Sequence, residues 1–530
     1  MRLSVRAPRT VCMRTRDGVR LDADVYWPDV PGPFPVLLMR QPYGRRIAST
    51  VCYAHPEWYA AHGYIVAVQD VRGRGTSEGM FRTFEAEAED GADAIAWAAT
   101  LPGASGAVGM YGFSYQGTNQ LLAAGEAPPA LRALAPAMIG WDLFNDWACE
   151  GGAFALQGGI GWALQIAAET ARRDGNTTAY RELRAAAHAL PLSREIPARP
   201  DVLERHRALT HYHAWLDTPA DSPYWNAISP ASRLEKIVAA GVPTLLVGGW
   251  FDSHLPGTLA AWRALAGKLP ARIVIGPWAH FPWGRRVGVL DFSVDAISDI
   301  DRLQVRWFDH WLKGGADSAV MEPAVRLFDM GALCWRDLPQ WPSESRTFFV
   351  AGTGRAALDE RDGTLLPTQP ESDGAETLVH DPWRPAPGVG AARDRAGVDA
   401  RPDVLTFTTA PAEAPLLLAG DARALLDVTA DAPDFDVACA LSRVAASGQA
   451  IGFAEGYRRV ATPGPVEVPM RATCLTLQPG ERLRLSIAAA AFPSFPVNPG
   501  TGENPTLARM IDARVITLRV RHGSRVEIGA

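Results

Sequence analysis

The chain has 530 residues, 47% of them hydrophobic, and its 52 basic and 58 acidic side chains leave a net charge of −6. That length predicts about three domains, and the apolar content is ample for large cores, so a soluble globular protein is expected. The small and evenly spread charge argues against nucleic acid or an anionic membrane surface as a partner.

Lys236, Lys268 and Lys313 are the only lysines, and the arginine excess reads as a genome-composition bias. The six cysteines, Cys12, Cys52, Cys149, Cys334, Cys439 and Cys474, form no C-x-x-C pair. This argues against a zinc ribbon or redox motif and predicts buried free thiols. The N-terminal segment carries charges throughout, and no run of about 20 apolar residues occurs, so a cytoplasmic location is expected.

In chain order, residues 10–27 alternate around the Asp17-Gly18 turn and read as a β-hairpin. Residues 34–40 read as a buried strand running into Gln41-Pro42-Tyr43-Gly44, residues 57–62 as a helix, and residues 64–70 as another strand followed by a glycine-rich loop. Residues 85–100 have alanine-rich helical spacing. Then comes the stretch around which the chain is organised, Val108-Gly-Met-Tyr-Gly-Phe-Ser-Tyr-Gln-Gly-Thr-Asn-Gln120. Its apolar residues up to Tyr111 predict a short strand, Gly112 to Gly117 a tight turn with Ser114 at the corner, and Gln116 onward a helix. The general nucleophile elbow, G-x-S-x-G, would place glycine at position 116, where this chain has Gln116; an ordinary tight turn is the alternative reading of the segment alone.

Residues 131–138 predict a further strand. Residues 140–233 show helical runs (152–173 and 178–189) and no good strand, as in an inserted helical cap. Strand patterns return at 242–252 and 271–280, with helices expected at 258–267 and from 299 to a stop at Gly314-Gly315. Helices alternating with short strands that are apolar on both faces indicate a parallel sheet covered on both sides. From about 335 onward alternating runs take over (424–428, 436–444, 482–487, 513–520), which fits a β-sandwich. The Pro/Gly/Arg-rich residues 385–401 read as a surface loop. The expected division is 1–139 and 236–334 for the two parts of an α/β core, 140–235 for the cap and 335–530 for the β-sandwich.

A serine hydroxyl becomes a useful nucleophile when a histidine, oriented by a carboxylate, takes its proton. Asp252 ends one predicted strand and His280 the next, so Ser114, Asp252 and His280 occupy three successive carboxyl ends of the sheet in the order such a triad requires. Singly, Asp252 could be a helix N-cap and His280 an ordinary loop imidazole; order and placement together favour the triad. His254, in the same loop as Asp252, reads as a pocket residue. An oxyanion needs two donors. One would be the Tyr115 amide and the other the Tyr43 phenol, for which packing at a strand edge is the alternative.

The segments Arg40-Gln-Pro-Tyr43, Asp70-Val-Arg-Gly-Arg-Gly-Thr-Ser-Glu-Gly79, Gly109-Met-Tyr-Gly-Phe-Ser-Tyr115, Gly249-Trp-Phe-Asp252, Gly276-Pro-Trp-Ala-His280 and Phe308-Asp-His-Trp-Leu-Lys-Gly314 resemble the cocaine esterase and X-Pro dipeptidyl-peptidase-like hydrolases. The resemblance spans the chain. It implies an α/β-hydrolase core with an inserted helical cap and a C-terminal jelly-roll β-sandwich, with Ser114, Asp252 and His280 as catalytic residues and Tyr43 with the Tyr115 amide as oxyanion hole. It also treats position 116 as variable. It places Trp147 and Trp162 against the acyl group. Phe251 is expected, with His254, to line the substrate pocket. Relatives that accept α-amino acid esters carry acidic residues where this chain has His254 and Leu255, so a neutral acyl ester or amide is the expected small-molecule substrate. Asp146 or Glu150 could supply a compensating charge. No cofactor or metal is expected, and a homodimer is allowed. A carbohydrate-binding protein with an inert core and a metallohydrolase using His206, His211 and His213 are the readings from other classes.

Overall fold

The computed structural model describes residues 2–47, 50–192, 195–316, 318–371, 373–462 and 464–530. Ten strands form the central sheet: β1 (Arg9–Arg14), β2 (Arg20–Tyr26), β3 (Phe34–Gln41), β4 (Ile65–Asp70), β5 (Ala104–Phe113), β6 (Leu131–Ala137), β7 (Thr244–Phe251), β8 (Ala271–Ala279), β9 (Val325–Asp329) and β10 (Cys334–Leu338). They lie in the order β1-β2-β4-β3-β5-β6-β7-β8-β9-β10. β4 through β9 are mutually parallel, and antiparallel pairing is confined to the two edges.

Alternate residues of these strands serve two different cores, which is why the strands read as continuous apolar runs. Leu38, Ala67 and Leu246 face one side with Ile95, Leu121 and Leu259, from helices α1 (Glu87–Ala98), α2 (Tyr115–Ala124) and α3 (Leu255–Leu265). Leu37, Met39, Val66 and Val68 face the other side with Trp307 and Phe308 of α4 (Ile300–Lys313), which stops at Gly314. Cys439 and Cys474 are buried as expected, but Cys12 and Cys334 are exposed. Both stand on the outermost strands, where one row of side chains has no neighbouring layer.

Between β6 and β7 the chain is mainly helical, with long helices at Leu156–Arg173 and Thr177–His188. The first begins later than the periodicity suggests. A two-stranded ribbon, Cys149–Glu150 with Ala153–Phe154, takes the preceding residues, too short to leave an alternating pattern.

The C-terminal unit is an eleven-stranded sheet. Its last strand, Arg525–Gly529, pairs with both Ser345–Ala351 and Leu416–Ala430 and so closes the sheet into a barrel. Residues 385–401 are not the surface loop expected from their composition. Ala386, Ala392, Arg395, Val398 and Asp399 are buried, and Asp399 binds Arg395 (3.2 Å), Ser486 (2.9 Å) and Arg484 (3.3 Å). Proline and glycine here mark irregular backbone, while the small alanines let that backbone lie against the barrel. Among the described residues no helix is long and apolar enough to cross a membrane.

Candidate active site

β5 ends at Phe113 and α2 begins at Tyr115, so Ser114 is the whole of the connection. Its φ of 60° and ψ of −126° are costly for a residue with a Cβ and persist only where the surroundings enforce them. Here the Ser114 amide donates to Ala137 O on β6 (2.8 Å), and its carbonyl accepts from Gly117 (3.0 Å) and Thr118 (2.9 Å). The glycine falls at 117 rather than 116 because α2 crosses closest to β6 there. A Cβ on Gly117 would stand 2.5 Å from Ile139 Cγ2 and 2.8 Å from Ala137 O. Position 116 has room for a buried glutamine, whose Oε1 accepts from the Phe113 amide (3.4 Å).

Asp252 and His280 likewise stand one residue beyond β7 and β8. The pairing of Phe251 with Ala279 sets these ends side by side. His280 Nδ1 lies 2.8 Å from Asp252 Oδ1. With Nδ1 donating, Nε2 carries the lone pair. Burial of Asp252 opposes its ionisation, but the attraction and hydrogen bond of His280 outweigh it and hold the carboxyl below the ordinary range. The His280 side chain is 26% exposed, and its ring packs 5.4 Å from that of Phe113, the residue before Ser114. Ser114, His280 and Tyr43 line one cavity of about 500 Å³.

Tyr43 follows β3, the neighbour of β5, and its amide donates to Gln41 Oε1 (3.1 Å). Its hydroxyl accepts a hydrogen bond from Trp162 Nε1 (3.1 Å), and the residue lines the same cavity as Ser114. Burial pushes the phenol up to about 12, so it stays a neutral donor. The Tyr115 amide is the first of α2 and belongs to the set without intrahelical acceptors. The Tyr115 side chain turns away into a buried network. Its hydroxyl donates to Glu87 Oε1 (2.9 Å), and Glu87 in turn holds Arg40 (2.6 Å).

Trp147 and Trp162 form a wall of the cavity, with ring centroids 5.2 Å apart. The sequence reading missed their companions. Phe84 lies 5.3 Å from Trp147, and Trp215 and His211 lie 5.5 and 4.5 Å from Trp162. The tryptophan at 215, in the same helical insertion, was the available signal. His254 lines the cavity between Trp147 (4.1 Å) and His280 (5.2 Å). Burial lowers its pKa to about 4, so it is neutral beside the other imidazole.

Phe251 is not among the residues that line this cavity. It stacks on Phe292 at 5.8 Å and packs against the core that holds Trp250 and Leu255. Asp146 and Glu150 line the cavity, yet neither carboxylate is uncommitted. Asp146 accepts from the amides of Trp141 (3.0 Å) and Asp142 (2.8 Å), and Glu150 pairs with Arg471 (2.9 Å). His206, His211 and His213 do not converge. His206 meets Glu182 (3.0 Å), His213 meets the Leu203 carbonyl (3.1 Å) and His211 packs on tryptophans. No metal-holding group of His, Cys, Asp and Glu occurs among the described residues.

A parallel sheet of this order, a strained serine between strand and helix, and an Asp–His pair on the next strand ends define a serine hydrolase of the α/β-hydrolase type. Residues 17–282 match the X-Pro dipeptidyl-peptidase (S15) family, and residues 318–527 match the X-Pro dipeptidyl-peptidase C-terminal non-catalytic domain. The cocaine esterase of Rhodococcus sp. (strain MB1 Bresler) is 30% identical, over 93% of this chain and 92% of that protein. Two solved structures share the fold throughout. An aminopeptidase from the marine sediment archaeon Thaumarchaeota archaeon has a TM-score of 0.81 at 22% identity, covering 99% of this chain and 96% of that one. An α-amino acid ester hydrolase has a TM-score of 0.80 at 23% identity, covering 99% and 97%. The chain belongs to the S15 family and is an enzyme, a serine hydrolase.

Proposed function

We propose that this enzyme hydrolyses carboxylic acyl esters through an acyl-enzyme on Ser114. His280 Nε2 takes the Ser114 proton as the hydroxyl attacks the ester carbonyl, and Asp252 keeps the imidazole oriented and stabilises its charged form. The Tyr43 hydroxyl and the Tyr115 amide receive the oxyanion. His280 passes its proton to the departing alkoxide. Water, deprotonated by the same imidazole, then cleaves the acyl-enzyme, releases the carboxylic acid and returns the proton to Ser114. The observation that carries the reading is the 2.8 Å Asp252–His280 bond at the edge of the cavity that holds the strained Ser114.

The acyl group would lie against Trp147, Trp162 and Trp215. A flat apolar wall of this kind suits an aromatic or branched acyl moiety, and the name of the cocaine esterase relative points the same way. The family description favours a second reading, release of Xaa-Pro dipeptides. Such substrates bring an ammonium group that needs a free carboxylate, and Asp146 and Glu150 are already engaged. In either reading residues 140–235 cap the site, and the closed barrel within residues 335–530 is taken as a jelly roll.

Ser114→Ala is expected to keep the circular dichroism spectrum and lose about 10⁶-fold in kcat on p-nitrophenyl acyl esters. Parent-like turnover would rule the assignment out. Faster cleavage of Xaa-Pro anilides than of acyl esters by the parent enzyme would favour the second reading.

A further inference from the structure

Arg471 stands in the C-terminal barrel, on the strand Gly464–Leu477, yet its guanidinium ends at the catalytic loop of the core. Nη1 donates to the backbone carbonyls of Asp252 (2.9 Å) and Ser253 (3.1 Å). Nη2 donates to Glu150 Oε2 (2.9 Å), on the short ribbon that opens the helical insertion. Nε lies 3.9 Å from Glu455 Oε1, on the strand Ala450–Val460 of the same barrel. The side chain is only 10% exposed, so its charge depends on these partners.

The two carbonyls belong to the turn between β7 and α3; that of Asp252 also accepts from the Leu255 amide at the start of α3, at a longer 3.3 Å. A planar guanidinium fork can hold both at once and still keep a carboxylate on its other nitrogen. The carbonyl of Asp252 and its carboxylate share one Cα, so a fixed carbonyl restricts the direction from which Oδ1 meets His280. Ser253 and Glu150 line the main cavity. With Arg471 and Glu455 they also line a second cavity of about 230 Å³ at the seam with the barrel.

We infer that Arg471 is a positioning residue of the catalytic machinery: the barrel reaches across the seam and clamps the Asp252–Ser253 turn, so that the Asp252 carboxylate is held on His280. The inference rests on the ester-hydrolase reading for its assay. It accounts for why a barrel without a catalytic group is packed against this rim.

In the full chain, Arg471→Met together with Glu150→Leu removes both buried charges, so neither is left unpaired. The double variant is expected to fold, as judged by circular dichroism. Its kcat on p-nitrophenyl esters should fall about 10- to 100-fold, the cost of a misplaced catalytic group, with a smaller change in KM. The low-field Nδ1–H resonance of His280 should broaden or vanish. Arg471→Lys keeps a buried charge but offers a point donor instead of a fork, and its kcat should fall between those of the parent and the double variant. A merely structural role would lower Tm and leave the resonance where it is. Parent-like kcat and resonance in either variant would overturn the inference. The resonance is read without turnover, so a parent chain inactive on every ester would count against the ester reading and leave the clamp still testable.

Discussion

At the rim of the central sheet, Ser114, Asp252 and His280 each stand one residue past the end of a strand, and directed hydrogen bonds hold Ser114 to β6 and Asp252 to His280. The wall opposite is assembled differently. Trp147, Trp162 and Trp215 line it, with the buried Phe84 packed against Trp147; they come from loops and helices far apart in the chain, and ring-to-ring packing holds them in place. Backbone geometry sets the rim, and in the proposed mechanism a displacement there costs rate, because proton transfer and oxyanion stabilisation tolerate little error. Shape and area set the wall, and a change there costs discrimination, at roughly 1 to 3 kcal/mol per methylene. One hydrogen bond joins the two regions, from Trp162 Nε1 to the Tyr43 hydroxyl. With that lone pair occupied, the phenol's own proton is free to point at Ser114 and whatever carbonyl sits on it.

Variants of the two regions should therefore separate in kinetics. Asp252→Asn should cost about 10⁴-fold in kcat, since it disturbs the tautomer of His280, with an unchanged circular dichroism spectrum. A drop of less than tenfold would move Asp252 out of the rim machinery. Tyr43→Phe should lower kcat by about 10²- to 10³-fold, the usual loss for one oxyanion donor, with KM nearly constant; a rise in KM alone would make Tyr43 part of the wall. Trp162→Phe keeps the ring and removes only the indole donor. A loss of about tenfold in kcat is expected, in line with one hydrogen bond of about 1 to 1.5 kcal/mol. Trp147→Ala should act mainly on KM for bulky acyl groups.

A further effect is expected on stability rather than rate. The imidazole of His254 is neutral in the folded state, with a pKa lowered from 6.5 to about 4 by burial. The unfolded chain takes up that proton first as pH falls, so stability is complete above about 6.5 and is lost on descending toward 4, by up to about 3 kcal/mol. His254→Gln should flatten the acid side of a plot of Tm against pH. An unchanged acid slope would mean that the group is solvated in the folded enzyme.

Much of the rim was legible because its signals are local. A run such as Ile65-Val66-Ala67-Val68 reports a strand buried on both faces, and the residue after such a run stands at the sheet's edge wherever the strand goes. Even the departure at Gln116 has a local trace in Gly117, though only the approach of α2 to Ile139 explains it. Where composition was taken as a guide to exposure, the reading failed. Residues 385–401 are partly buried by contact with barrel strands distant in sequence, and Phe251 lies outside the cavity, stacked on Phe292.

What the sequence alone determined is the identity of the three rim residues and their attachment to three strand ends, since strand propensity and chain order are properties of short segments. Tertiary structure alone decided which side chains surround them. The companions Phe84 and Trp215, the commitment of Asp146 and Glu150, and the reach of Arg471 to Asp252 all depend on contacts between segments tens to hundreds of residues apart. No periodicity records such contacts, because they arise only when separate hydrophobic faces are buried against one another.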